Sequence, residues 1–175
     1  MIAFAVAILC LAGLPSQPAF AGESFADKIE GTYESADRNE KARRRINKQI
    51  DKVVGEMFFI KRPFARSELE EATEPCDRIE IDSGDGEITI VCDDRKPTTT
   101  KPDGTTERWT SRDDETYRLS QSVEDDRIVQ VFENDDGKRT NTYRLDGEDK
   151  LVLDVKIESD ALPMPLTYTR KFDRT

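Results

Sequence analysis

The sequence predicts a mainly β protein: an antiparallel up-and-down meander of about 9–10 strands that closes into a barrel, with an N-terminal helix pair between the first and second strands. Three observations carry this. From Cys76 onward apolar residues alternate with polar ones at period two, and turn-forming clusters recur about every 8–12 residues. Upstream, Ala42, Ile46, Ile50, Val53, Val54 and Met57 recur at spacings of three and four, the stripe of an amphipathic helix. The strand connections are short, so each strand must pair antiparallel with its predecessor. A sheet that long leaves two exposed edges unless it closes.

Positions 1–21 contain none of the chain's 27 Lys and Arg or 37 Asp and Glu, although all 175 residues together carry a net charge of −10. Residues 2–14 form an apolar run, and Ala19-Phe20-Ala21 places small side chains at −3 and −1 of a scissile bond. The expectation is a signal peptide cleaved after Ala21 and a single domain over 22–175, periplasmic or extracellular. Cys10 lies inside that leader, in a poor lipoprotein box. The remaining pair, Cys76 and Cys92, predicts a disulfide in an oxidising compartment.

In order, Gly31-Thr32-Tyr33-Glu34-Ser35 reads as a short strand. A helical segment covers about 37–72. Asp37 and Glu40 suit a capping box, and Pro63 ends the first helix near Phe59–Arg62. Arg38, Lys41, Arg44, Arg45, Lys48 and Lys52 form its outer face. A second helix over Pro63–Ala72 is expected to bury Phe64 and Leu69. The meander covers about 77–173, with strands at 77–82, 87–92, 96–101, 106–111, 115–123, 126–133, 138–145, 150–158 and 165–173. Their connections include Ser83-Gly84-Asp85-Gly86 and Asn134-Asp135-Asp136-Gly137. In the first hairpin, pairing Ile79 with Ile90 and Ile81 with Ile88 keeps four isoleucines on one face. In the crossover 159–166, Leu162 and Met164 are expected to plug a barrel end.

Parity leaves one question open. Pairing across Asn134–Gly137 sets Ile128 by Tyr143, Gln130 by Asn141 and Phe132 by Arg139. In the last strand Leu166, Tyr168, Arg170 and Phe172 share a face. A dry core rarely holds such polar residues, so the Val129–Val131 face is the simpler inside. The mixed face could instead line a wet cavity that holds a ligand with a polar head.

The element order of a strand, a helix-turn-helix and a long meander resembles the lipocalin-like (calycin) superfamily, and within it the fatty-acid-binding proteins, over roughly 29–173. Gly31-Thr32-Tyr33 resembles the G-x-W that opens many lipocalin barrels. Fatty-acid-binding proteins hold a ligand carboxylate with Arg-x-Tyr on a late strand. Here Tyr168-Thr169-Arg170 carries the pair in reversed order. The resemblance implies a small lipid-like or amphipathic ligand. Tyr143, Tyr168, Arg170 and Arg139 are expected at its polar head, and Phe132, Ile128 and Trp109 at its apolar part.

Other chemistry is excluded or weak. With no His, Ser-His-Asp and Cys-His machinery and His-ligated metals are ruled out. No enzyme activity and no cofactor are expected. The acidic balance disfavours nucleic acid, and no apolar stretch after position 21 is long enough for a membrane span. Asp82–Glu87, Asp113–Glu115, Glu124–Asp126 and Asp135–Gly137 read as solvated turns rather than calcium sites. The expected function is an exported, monomeric binding protein. The alternative is a filled barrel acting as an assembly factor or inhibitor on a protein partner.

Overall fold

The computed structural model describes residues 24–175, so the leader lies outside the described residues. A short helix α1 (Phe25–Ile29) precedes β1 (Gly31–Ser35). Helices α2 (Asn39–Gly55) and α3 (Arg62–Ala72) follow. Nine further strands then run β2 (Arg78–Gly84), β3 (Glu87–Cys92), β4 (Thr98–Thr100), β5 (Glu107–Thr110), β6 (Thr116–Glu124), β7 (Arg127–Glu133), β8 (Lys138–Leu145), β9 (Lys150–Glu158) and β10 (Leu166–Arg174). They form one sheet in the order β4-β3-β2-β1-β10-β9-β8-β7-β6-β5, in which every pairing is antiparallel. β1 joins the two ends of the chain by pairing with both β2 and β10. The barrel is nearly closed. Where β4 and β5 part, the segment after β4 bridges to β6: Gly104 N donates to Gln121 O (2.8 Å) and Val123 N to Pro102 O (3.1 Å).

The mixed face points inward. Ile128 and Gln130 are buried while Val129 and Val131 are half-buried, which reverses the simpler parity reading. The reason lies in the partners. Ile128 shares its side of the sheet with Tyr143 and Leu153, whereas the Val129 side continues into Thr142 and Asp154.

The first hairpin keeps its inward isoleucines but shifts register by two. Ile81 pairs with Ile90 and Ile79 with Cys92, rather than Ile81 with Ile88. A two-residue turn causes this, because Asp85 (φ 54°) and Gly86 (φ 79°) both adopt the left-handed conformation that a tight hairpin needs. The shift sets Cys92 opposite Ile79, and Cys76, just before β2, still reaches it to form a disulfide with Cα atoms 5.7 Å apart. Closing a loop over a separation of 16 residues stabilises by about 3 kcal/mol in the chain-entropy picture.

The helix pair differs in three details. Arg38, not Asp37, is the residue before the first turn of α2, and Asp37 instead pairs with Lys41 (2.7 Å) and Arg45. α2 stops at Gly55, short of Phe59–Arg62, and the Arg62 side chain takes up the carbonyl of Gly55 and that of Met57 just beyond the helix. Phe64 is 69% exposed rather than buried; Ala65 and Leu69 make the inward stripe of α3. Ile46, Ile50, Val53 and Val54 pack with Ala65, Leu69, Leu166 and Leu162 in a small core of their own. Met164 is exposed and plugs nothing. The unpredicted α1 lies at the opposite end of the barrel, where Ala26 and Ile29 join the main core and Tyr33 Oη donates to Ile29 O (2.7 Å).

Candidate functional site

Strand register sets the inward side chains in rows around the barrel. One row runs Gln121, Gln130, Asn141, Val155, Tyr168; the next runs Val123, Ile128, Tyr143, Leu153, Arg170. The first row is polar at one end, and its amides satisfy one another. Gln130 Nε2 donates to Thr98 Oγ1 (2.8 Å) and Gln121 Oε1 (3.2 Å), and its Oε1 accepts from Asn141 Nδ2 (2.9 Å) and Tyr143 Oη (3.1 Å). Gln121 Nε2 crosses to Ile88 O (2.8 Å) and Thr100 Oγ1 (2.9 Å). The network therefore ties β6, β7 and β8 to β3 and β4 across the seam. Sequence parity identified Gln130, Asn141 and Tyr143. It missed Gln121, Thr98 and Thr100, whose proximity comes from closure.

Burial pushes the Tyr143 hydroxyl up to about 12, since a phenolate would lose its hydration among these amides. The unfolded phenol ionises near 10.0. The contribution is therefore intact below about pH 10 and is lost as pH climbs toward 12. Denaturant midpoints measured from pH 9 to 11.5 (approximate limits) should fall less steeply for Tyr143→Phe than for the parent. Identical slopes would show that this hydroxyl is not the coupled group.

A second region lies under α2. β1 covers only Phe172–Arg174 of β10, so the earlier part of that strand meets α2 instead. Between them is a cleft of about 200 Å³, with Asp37, Arg45, Lys48, Gln49, Tyr168 and Arg170 in its lining. Arg170 is 5% exposed, and its Nη2 donates to Ser35 Oγ (2.6 Å). Its Nε is buried without a partner. Among the described residues no carboxylate forms an ion pair with it, and burial lowers its proton affinity despite the fields of Asp77, Asp37 and Asp93. The ring of Phe172 lies 5.2 Å from the guanidinium centre. A hydrogen bond from Lys41, with Arg45 alongside, holds the Asp37 carboxyl below the ordinary carboxylate range.

The expected head-group residues therefore separate. Tyr168 and Arg170 line the cleft. Tyr143 sits in the amide network, and Arg139 joins it through Nε to Asn141 Oδ1 (2.9 Å) while its Nη1 donates to Ala72 O (2.9 Å) at the end of α3. Ile128 is fully buried in the main core. Trp109 and Phe132 stack edge to face at 5.5 Å and recruit Tyr117, absent from the expected set. Trp109 Nε1 donates to Pro97 O (3.0 Å) near the seam. The Cys76–Cys92–Asp93 grouping is a closed structural unit: the cysteines bond each other, and the Asp93 carboxylate accepts from the Asp77 and Arg78 amides.

No family model matches the sequence, and no curated protein matches it either. Solved structures match over most of the chain. Fatty-acid-binding protein 1 of Echinococcus granulosus superposes with a TM-score of 0.52 at 12% identity, over 85% of this chain and 98% of that one. The architecture is that of the fatty-acid-binding proteins, a calycin barrel. The Schistosoma mansoni fatty-acid-binding protein in complex with arachidonic acid gives 0.52 at 11% identity, over 87% and 99% of the two chains. The fluorescent protein UnaG gives 0.53 at 15%, over 86% and 99%. At these identities the shared property is the calycin fold: ten antiparallel strands with a helix pair between the first and second.

Proposed function

We propose that this protein is a non-enzymatic, exported calycin barrel that binds a small amphipathic ligand by its anionic head. One observation carries the reading: Arg170 is buried, has among the described residues an orphaned Nε and no carboxylate partner, and opens on the cleft under α2 beside Tyr168. A buried guanidinium in that state is costly, and an incoming carboxylate or similar oxyanion would complete it with charge-assisted hydrogen bonds. The fold supports a lipid-like tail, since a structural neighbour is described in complex with arachidonic acid. The leader over 1–21 and the disulfide support export.

A second reading, a filled barrel serving a protein partner, is favoured by the amide network, whose polar groups already satisfy one another. Native mass spectrometry of protein as purified, followed by displacement of a fluorescent fatty acid from delipidated protein, separates the two. A bound acidic lipid and saturable displacement are expected. Neither would leave the filled barrel.

A further inference from the structure

We infer that the ligand is held between α2 and β10, with only a short stretch of its tail enclosed there and none of it inside the barrel. This rests on the reading of Arg170 as the head-group site and fixes where the remainder of the ligand lies. The interior is already occupied. Ile79, Ile81, Ile88, Ile128, Leu151 and Phe172 are each no more than 2% exposed and pack in one core. The polar groups beside them are matched. Among the described residues the buried side-chain polar atoms without a partner are Asn47 Oδ1, Arg170 Nε and Arg174 Nε, and none belongs to the amide network of Gln121, Gln130, Asn141 and Tyr143. A tail threaded inside would have to displace close-packed side chains and break hydrogen bonds that shield buried amides.

The cleft, by contrast, has both room and an unmet donor. Of the three orphaned atoms, Arg170 Nε is the one whose residue lines it. Ser35 cannot turn to satisfy that nitrogen, because its hydroxyl already accepts from Arg170 Nη2 (2.6 Å) and donates to Asp37 O (2.7 Å). Buried Ala42 and Ile46 supply an apolar wall, and exposed Arg45 and Lys48 stand where the cleft meets solvent. Its volume, about 200 Å³, sets the size of the occupant. At roughly 30 Å³ per water-sized group, it takes about seven non-hydrogen atoms. A carboxylate uses three of them, which leaves space for about four carbons. A longer tail leaves the cleft past Arg45 and Lys48 and adds little apolar burial. The favoured class is therefore a short-chain carboxylate, and long-chain acids bind by the same few atoms.

The test is a chain-length series of linear carboxylates, acetate to decanoate, titrated into delipidated protein and followed by backbone amide shifts. Affinity should rise about fourfold per carbon from acetate to pentanoate, the equivalent of ~0.8 kcal/mol for each buried methylene. From hexanoate to decanoate it should change less than about twofold, because the added methylenes stay in water. The amides that move should be those of α2 and of Tyr168–Arg170. Gln49→Trp, which enlarges a half-buried side chain in the cleft lining, should weaken pentanoate at least about tenfold and acetate by less. Affinity that keeps climbing past octanoate, with shifts at Gln130 and Asn141, would place the tail inside the barrel and overturn this inference while leaving the anionic head at Arg170. Undiminished pentanoate binding by the Gln49→Trp variant would do the same. Methyl pentanoate binding as tightly as pentanoate, or no carboxylate binding at all, would instead remove the head-group reading and this inference with it.

Discussion

Arg170→Met should weaken binding of an anionic amphiphile by about ten- to a hundredfold, the range of one or two charge-assisted hydrogen bonds, while the protein unfolds at the same or a higher temperature. The two halves of this expectation have one origin. Arg170 is buried, donates to the Ser35 hydroxyl, keeps its Nε unpaired and has no ion pair among the described residues. Desolvation is therefore not repaid within the protein, and replacing such a charge with an apolar chain of similar length is often neutral or stabilising. The decisive comparison is a fatty acid against its methyl ester. The parent should discriminate between them and the variant should not. If the variant binds the acid as tightly as the parent does, the head group lies elsewhere, and Arg139 is the next cation to replace.

Gln130→Leu should destabilise the fold by about 3 kcal/mol, at roughly 1 kcal/mol for each buried polar group left without its partner. Gln121 Oε1, Asn141 Nδ2 and Tyr143 Oη all bond Gln130, and its fourth contact, Thr98, belongs to β4 across the seam. Val129→Thr, one residue away on the outer face, should stay within about 0.5 kcal/mol. Urea midpoints measure both. A Gln130→Leu cost no larger than that of Val129→Thr would mean that water replaces the amide and that the network does not hold the seam.

Much of this architecture was legible in the residues because the signals are local. Period two, Asp-Gly turns and short connections leave an antiparallel meander as the only economical arrangement, and the three-and-four spacing of Ile46, Ile50, Val53 and Val54 places the helix pair. Where local signals misled, a distant group had intervened. Phe64 reads as a core residue by its spacing to neighbours, yet α3 rotates its Ala65 and Leu69 stripe toward α2 and leaves Phe64 in solvent. The isoleucine hairpin fits two registers by composition alone. The left-handed Asp85 and Gly86 choose between them.

The candidate site was legible only in part, for the same reason. Parity alone grouped Tyr168 with Arg170 and Gln130 with Asn141, but it could not say which face was inside, because Val129 and Val131 offered an equally regular core. Closure of the barrel decided it by stacking Ile128, Tyr143 and Leu153 on one side. Nor could sequence show that Arg170 lacks a carboxylate partner among the described residues, since 37 acidic residues make a paired arginine the ordinary expectation. Alternation and turn chemistry are properties of neighbours along the chain, so the sequence by itself determined the elements and their order. Whether a polar side chain ends up satisfied or waiting depends on groups brought from 135 positions away, as Ser35 is to Arg170, and only the tertiary structure decided that.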